Sequence, residues 1–419
     1  MKILVCGANG FIGRHLCAAL ACAGHQVVRG VRRAGATDEV AIDYARDVQS
    51  DVWLPRLKGI DVVINAVGIL GEAGGARFDA IHRDAPVALF RACEQAGVAR
   101  VIQISALGGM EDRPWTPYMR TKREADAHLM SSPLGWTILR PSLVVGVDGE
   151  SSRLFRTLAS LPLVGLPGRG EQLLQPVHID DLCQAAVRIL ESDKYARRVI
   201  DVAGPQPMTY RAMLATYREA MKLPRPIWLP IPPEAMRLAA RWAAKLPQRV
   251  LTPDTLHMLE DGNVGDAIPL REILGRPPLQ PARWFTAIPA DLLRWQAIAG
   301  WMAPLFRIVL TIVWMVTGLL SLGLYPVADS LAMLGQVGLH GTVAHVALYG
   351  AALLDCAFGV ATLAIPGRAL WRLQIALILG YTAIITLFLP YYWLHPFGPV
   401  LKNLPILALL VVLDASETR

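Results

Sequence analysis

Short aliphatic and β-branched runs alternate with stretches in which apolar positions recur every three or four residues across the first 204 residues. The runs predict strands at 2–6, 26–31, 61–65, 100–105, 136–140 and 198–202. The stretches between them predict amphipathic helices, and this order builds a doubly wound parallel sheet covered on both faces. Between 205 and about 299 prolines crowd in (Pro224, Pro226, Pro230, Pro232, Pro233) among short helices at 210–222 and 233–245. That region reads as a smaller substrate-side subdomain and connector. Beyond Trp301 the periodicity gives way to long apolar runs at 308–325, 343–365 and 373–389. Each approaches the roughly 20 residues needed to cross a hydrocarbon core. A fourth run, 400–413, is shorter and carries Lys402 and Asn403, so it needs neighbouring helices to cover its polar end. The expected architecture is an α/β Rossmann domain over 1–204, a subdomain over 205–299 and an all-α four-helix transmembrane domain over 300–419.

Composition sharpens the division. Hydrophobic residues make up 53% of the chain and charged ones 18%, which is too apolar for one soluble globule, while the net charge is +7. The arginines are scattered rather than striped with aromatics, so nucleic acid is not an expected partner and a membrane with anionic lipids is. Six cysteines show no CxxC spacing and read as buried thiols in a reducing compartment. The apolar run after Lys2 is too short for a signal-peptide core. Arg294 and Arg307 precede the first apolar run, Arg368 and Arg372 lie between the second and third, and Arg419 ends the chain. The segment 326–342 has no Lys or Arg, and Lys402 alone precedes the fourth run. Both termini are therefore expected on the cytoplasmic side of a multi-pass protein of the inner membrane, with Tyr391, Tyr392 and Trp393 as an aromatic belt at the opposite face.

Chemistry enters with Gly7, Gly10 and Gly13, which follow the first strand immediately. Glycine is needed first for a tight turn, then for close approach of the backbone to a pyrophosphate, then for close packing of the next helix. Asn9, Phe11 and Ile12 complete the expected phosphate-binding set, and the helix they open directs free N–H groups and its positive dipole end at the phosphates. The second strand ends in Arg32-Arg33, where an NAD-preferring fold would place an acid; an arginine suits a 2′-phosphate, so NADP is expected, with NAD possible. Asp43 is a candidate for the adenine edge. In Asn65-Ala66-Val67-Gly68 the small residues let a cofactor approach the sheet edge at Ala66, Val67 and Gly68.

Ser105 ends the fifth strand ahead of Ala106-Leu107-Gly108-Gly109, and Tyr118 and Lys122 then open a helix at i, i+4 spacing on one face. A charged lysine beside a phenol stabilises the phenolate, so Tyr118 is expected to titrate below its usual value of about 10 and to exchange a proton near neutrality. With 10 tyrosines in 419 residues, chance predicts about 0.2 Tyr-x-x-x-Lys pairs, and the single one falls where a hydride-transfer site needs it.

These motifs, with Arg140-Pro141-Ser142 and 176–182, resemble an atypical extended short-chain dehydrogenase/reductase, of the branch similar to the 39 kDa accessory subunit of respiratory complex I. The resemblance covers about the first 300 residues. It implies catalytic roles for Ser105, Tyr118 and Lys122 and places Pro141 near the nicotinamide. Residues 305–413 resemble a DoxX-like membrane domain, through the helix pattern and Lys402-Asn403-Leu404-Pro405. The expected activity is NADP(H)-dependent oxidoreduction of a lipophilic carbonyl, alcohol or quinone-like substrate. Alternatives are a non-catalytic NADP(H)-binding subunit of a membrane complex, because members of the complex I-like branch bind NADP(H) without known turnover, and a sugar epimerase or dehydratase. Asp180 or Asp181 is expected to cap a helix starting at Leu182 rather than to bind metal. His340 and His345 lack a third ligand in sequence reach, so no metal is expected. Asp355, mid-span in the second apolar run, either packs structurally or faces a cavity, partner or proton path, with Tyr381 mid-span in the third.

Overall fold

The computed structural model describes residues 1–72, 75–108, 116–243 and 252–417, so Gly109, Lys245 and Arg419 lie outside the described residues. The chain divides into two compact units, Met1–Ile298 and Ala299–Arg419.

Seven parallel strands organise the first unit. β1 (Lys2–Cys6), β2 (Gln26–Val31), β3 (Glu39–Ala41), β4 (Val62–Asn65), β5 (Arg100–Ile104) and β6 (Gly135–Pro141) are joined by the strand Arg198–Val202, which lies outside β6 in a sheet ordered β6-β5-β4-β1-β2-β3. The order reverses at β1, which opens a crevice at the carboxyl ends of β1 and β4. Strand alternation explains the covering of both faces. Ile3 and Val5 pack with Leu16 and Leu20 of α1 (Phe11–Cys22), whereas Leu4 and Cys6 pack with Leu89 and Phe90 of α2 (Ala85–Ala96). Each such side chain contributes about 1.5–3 kcal/mol on burial, and a slip of one residue would exchange the two sets, so the register is strongly fixed.

Helix ends follow local chemistry. α3 (Pro117–Ser131) begins where the Thr116 hydroxyl accepts the Met119 N–H at 3.3 Å, with Pro117 in the first turn, where no donor is needed. The helix Ile179–Leu190 corrects the expected cap. Asp180 and Asp181 fall inside its first turn, too late to cap it, and His178 does so instead, its Nδ1 accepting the Asp180 N–H at 3.3 Å. The Asp181 carboxylate holds Arg276 at 2.7 Å and accepts the Leu279 N–H at 2.6 Å. A third core joins Val145, Leu166 and Leu174 to Tyr217, Trp284 and Phe285, beside the parallel pair of strands Leu163–Pro167 and Ile227–Ile231.

From Ala290 onward, three helices among the described residues are long and apolar enough to cross a membrane: Ala290–Leu324, Gly341–Ala364 and Arg368–Phe388. The first starts well before the expected 308, because the amphipathic turn that buries Leu293 and Ala297 runs on unbroken through Pro304 into the apolar run. The fourth, Asn403–Ser416, has 14 residues and falls short of that length. A helix Val327–Gln336 also forms in the segment expected as a loop. Small residues let the helices approach: a Cβ on Gly318 would stand 2.5 Å from the Cys356 Sγ, and one on Gly359 2.8 Å from Met315. The buried polar groups form a chain in which Trp314 Nε1 donates to Gln374 Oε1 (2.9 Å) and Gln374 Nε2 to Thr362 Oγ1 (2.9 Å). Arg307 pairs with Glu417 at 2.7 Å and Arg372 with Asp414 at 3.2 Å, gathering these charges at one end of the bundle.

Candidate dinucleotide and reaction site

The glycine turn has the shape that its spacing predicts. Gly7 takes a φ of +81°, a conformation that only glycine adopts readily, and a Cβ there would press on Val67 and the Ala66 carbonyl at 3.1–3.2 Å. At Gly13 a Cβ would lie 2.0 Å from the Gly7 carbonyl oxygen, so α1 and the turn touch through backbone alone. Gly10 precedes α1 without a side-chain cap, and no acid stands in the first turn. The leading N–H groups and positive helix end therefore suit a pyrophosphate. Asn9 is held from β2: its Oδ1 accepts from Arg29 Nη2 at 2.9 Å, and Arg29 pairs with Glu39 of β3 at 3.2 Å. Phe11 lies against Gly146 and Gly149, where added Cβ atoms would meet its ring at 2.7 and 3.1 Å, while Ile12 packs on the core. Asp148 fastens the same loop to α1 through Arg14 (2.7 Å) and His15 (3.0 Å).

Arg32 and Arg33 stand exposed just past β2, and among the described residues neither has an acidic partner. Asp43 belongs to a local turn: its Oδ1 accepts the Ala45 N–H at 3.1 Å and its other oxygen lies 3.6 Å from Arg46. Asn65 anchors the end of β4. Its Oδ1 accepts from the Tyr44 hydroxyl (2.8 Å) and from the Val67 N–H (3.2 Å), and its Nδ2 donates to Gln103 Oε1 (2.8 Å), which fixes the backbone at Ala66, Val67 and Gly68.

Gly68 faces the α3 residues. A Cβ there would stand 3.6 Å from the Lys122 Nζ and 3.8 Å from the His82 Nε2, so the backbone at residue 68 lies directly against both side chains. Lys122 donates to the Ile104 carbonyl at 3.2 Å and lies 5.7 Å from the centroid of the Tyr118 ring. Burial brings its pKa down to about 8, against the opposing charge of Asp126. His82, in the π-helical turn Asp79–Asp84, accepts the Ile69 N–H on Nε2 at 3.0 Å, which assigns the proton to Nδ1, 3.4 Å from Thr121 Oγ1. Burial, then the Lys122 charge, holds its pKa well below the usual imidazole range, so this histidine is neutral. Its ring stacks on Phe78 at 5.3 Å and meets Tyr118 edge-on at 5.1 Å.

One expectation changes. Tyr118 does not titrate low: burial pushes its phenol well up, and the nearby Asp126 charge adds to the rise. Lys122, 5.7 Å from the ring centroid, does not offset that burial. Ser105, in turn, continues the alternation of Val101 and Gln103 toward α3, where its hydroxyl donates to Asp126 Oδ2 at 2.5 Å. Asp126 is fully buried, with Arg123 Nη1 at 3.9 Å. Burial raises its carboxyl, while the Ser105 bond and the charges of Lys122, Arg123 and Arg140 hold it down. Pro141, at the end of β6, accepts the Leu107 N–H on its carbonyl (2.8 Å), and Asn263 Nδ2 secures the Leu107 carbonyl at 2.7 Å.

The structure thus brings together Gly68, Tyr118 and Lys122, with the glycine turn beside Ala66 and Val67, and turns Ser105 toward Asp126. His82, Phe78, Asp126 and Asn263 escaped the sequence reading of the site, and of Asn65 it held the place in the motif but not the bonds to Tyr44 and Gln103. Asp126 carried a signal, lying four residues after Lys122 on the same helix face; the others carried none.

Residues 7–162 match the NAD(P)H-binding family and residues 311–411 the DoxX-like family. Over 245 residues the chain is 28% identical to the mitochondrial NADH dehydrogenase [ubiquinone] 1 alpha subcomplex subunit 9 of Arabidopsis thaliana. That match covers 54% of this chain and 60% of the plant protein, so the chain spans less than two thirds of that relative's length. Among solved structures, MoeE5 in complex with UDP-glucuronic acid and NAD matches with a TM-score of 0.53 at 23% identity, covering 70% of this chain and 99% of that one. A nucleoside-diphosphate-sugar epimerase from Staphylococcus aureus matches with a TM-score of 0.56 at 16% identity, covering 70% and 100%. At these identities the structural likeness establishes the fold of the first unit.

Proposed function

We propose that this chain, which joins an NAD(P)-binding Rossmann domain to a DoxX-like membrane domain, is a membrane-anchored NADP(H)-dependent oxidoreductase acting on a lipophilic carbonyl, alcohol or quinone-like substrate. The observation that carries the reading is the close approach of the Lys122 ammonium to Gly68, 3.6 Å from where a Cβ would stand, beside the Tyr118 ring. A bound nicotinamide supplies the hydride. Gly7, Gly10 and Gly13, with the Asn9, Phe11 and Ile12 backbone, hold the pyrophosphate; Arg32 pairs with the 2′-phosphate; Asp43 lies toward the adenine edge; Ala66, Val67, Gly68 and Pro141 border the nicotinamide half. Lys122 would anchor the ribose, and Tyr118 would be the proton donor to the substrate oxygen. With its phenol raised by burial, Tyr118 holds its proton near neutrality. Ser105 acts through Asp126, as a positioning residue for Lys122. The arginine-rich end of the bundle supports a cytoplasmic placement of that end in an inner membrane.

The test uses the intact chain in mild detergent. NADP(H) is expected to co-purify, as identified by mass spectrometry, and Arg32→Glu is expected to weaken NADPH binding at least tenfold while sparing NADH. Tyr118→Phe is expected to lower kcat for a confirmed lipophilic substrate by about 10²-fold or more; turnover at the parental rate sinks the assignment. A second reading, a non-catalytic nucleotide-binding subunit of a membrane complex, draws on the commitment of Ser105 to Asp126 and on the likeness to the plant subunit. It predicts retained nucleotide with no turnover of any carbonyl or quinone. A sugar epimerase or dehydratase recycles its cofactor, so net NADPH consumption separates it from the first reading.

A further inference from the structure

The helix Pro233–Ala243 in the first unit carries apolar residues on two faces. Ala240 is buried and Met236, one turn earlier, is half-buried. Two residues further along from each, hence roughly 200° around the helix, Leu238 and Trp242 stand 56% and 64% exposed. Arg237 and Arg241 occupy the sector between the faces; both are exposed, and Arg237 leans on Glu260 at 3.3 Å. The strand just ahead repeats the pattern. Trp228 of the strand Ile227–Ile231 turns toward the core, while Ile227 and Leu229 face out, and Leu163, opposite Ile227 in register, is exposed as well. Apolar side chains scattered singly over a surface are ordinary, but an exposed cross-strand pair followed in sequence by an exposed i, i+4 pair is a patterned surface.

Leucine, isoleucine and tryptophan edged by arginine make the chemistry of a helix lying in a bilayer interface, where the aromatic and aliphatic groups enter the acyl boundary and guanidinium groups meet anionic head groups. The same chain carries a membrane domain that keeps a bilayer at hand. We propose that the Leu238/Trp242 side of the helix Pro233–Ala243, together with the outer face of the strand Ile227–Ile231, docks on the surface of an anionic lipid bilayer. The helix packs on the helix Pro253–Asp261, whose Met258 touches the cluster around Tyr118. A lipophilic substrate leaving the bilayer at this face is one helix away from the reacting residues. That consequence rests on the oxidoreductase reading; the docking rests only on the exposed surface and the membrane domain.

The experiment places a nitroxide label at Leu238→Cys in the full chain, with the exposed Cys22 changed to serine, and a control label at Asp51→Cys, exposed on the Rossmann part. Both proteins are reconstituted in vesicles of phosphatidylcholine with phosphatidylglycerol. Collisions with oxygen relative to a water-soluble nickel chelate are expected to be several-fold higher at 238 than at 51. The ratio is expected to fall when phosphatidylglycerol is omitted and when Arg237→Glu and Arg241→Glu are combined. A Leu238→Cys label as open to nickel as the control overturns the proposal. So does a label shielded from both reagents, which would reveal a protein partner or a second copy on this face. Leu229→Cys repeats the measurement on the strand. Nucleotide retention, read on the same samples, reports on the oxidoreductase reading separately.

Discussion

Each unit buries an aspartate, Asp126 in the first and Asp355 in the second, and the two are accommodated in opposite ways. Asp126 accepts the Ser105 hydroxyl at 2.5 Å, has Arg123 at 3.9 Å, and feels the charges of Lys122 and Arg140. The Oδ1 of each lacks a hydrogen-bond partner among the described residues, but only Asp126 has a bonded Oδ2; no described hydrogen bond reaches Asp355, although Gln374, Trp314 and Thr362 in the same bundle are joined to one another. A buried acid with partners is a fixture of the fold around it. A buried acid without them costs stability wherever it stands, and most of all in a membrane, so removing it separates a structural role from a functional one.

The sharpest way to break this contrast is to remove both carboxylates in turn. Asp126→Ala takes a buried negative charge away from Arg123 and Arg140 and leaves Ser105 without its acceptor. It is expected to destabilise the first unit by about 3–5 kcal/mol, read as a large fall in the thermal or denaturant midpoint. Asp126→Asn keeps an acceptor for Ser105 and should lose clearly less; equal losses would show that the serine bond carries nothing. Asp355→Leu is expected to act in the other direction, raising the stability of the full chain in detergent by about 1–3 kcal/mol, the cost of an unpartnered buried polar group. A fall of similar size would show that Asp355 is bonded within the bundle and is structural after all.

The same contrast explains what was readable without a structure. The glycine turn, the parallel strands and the Tyr118/Lys122 pair are local patterns, with the glycine spacing imposed by backbone contact between Gly7 and Gly13 and the pair by one helical turn. The surroundings of the pair are not local. Asn263 reaches Leu107 across 156 positions and Asn65 meets Gln103 across 38, and no periodicity announces such contacts. Ser105 stands two residues beyond Gln103 on the same side of the sheet, and its bond to Asp126 across 21 positions was not announced by its residue type. In the second unit apolar runs located the helices, yet the beginning of the first was hidden by the amphipathic turn that precedes it, and the partnerless state of Asp355 could be seen only once the neighbouring helices were in place.

A smaller effect tests how far Asp126 supports the reacting residues. Lys122 is held at about 8 by burial against the Asp126 charge, whereas a free lysine titrates near 10.4. Between these values the unfolded chain binds the proton and the folded chain has released it, so this residue makes stability rise with pH over that window and leaves it flat below about 8. Other groups titrate in the same range, Tyr118 in the opposite sense, so the measurement is a difference. The stability of the parental chain minus that of Lys122→Met is expected to grow by roughly 1 kcal/mol between pH 8 and 9. Placing Asp126→Asn in both backgrounds removes the charge that favours the ammonium form, which should move the onset of this rise to lower pH. An onset that stays where it was would mean that Asp126 fixes the position of Ser105 without influencing the lysine, and that the site's charge is set by burial alone.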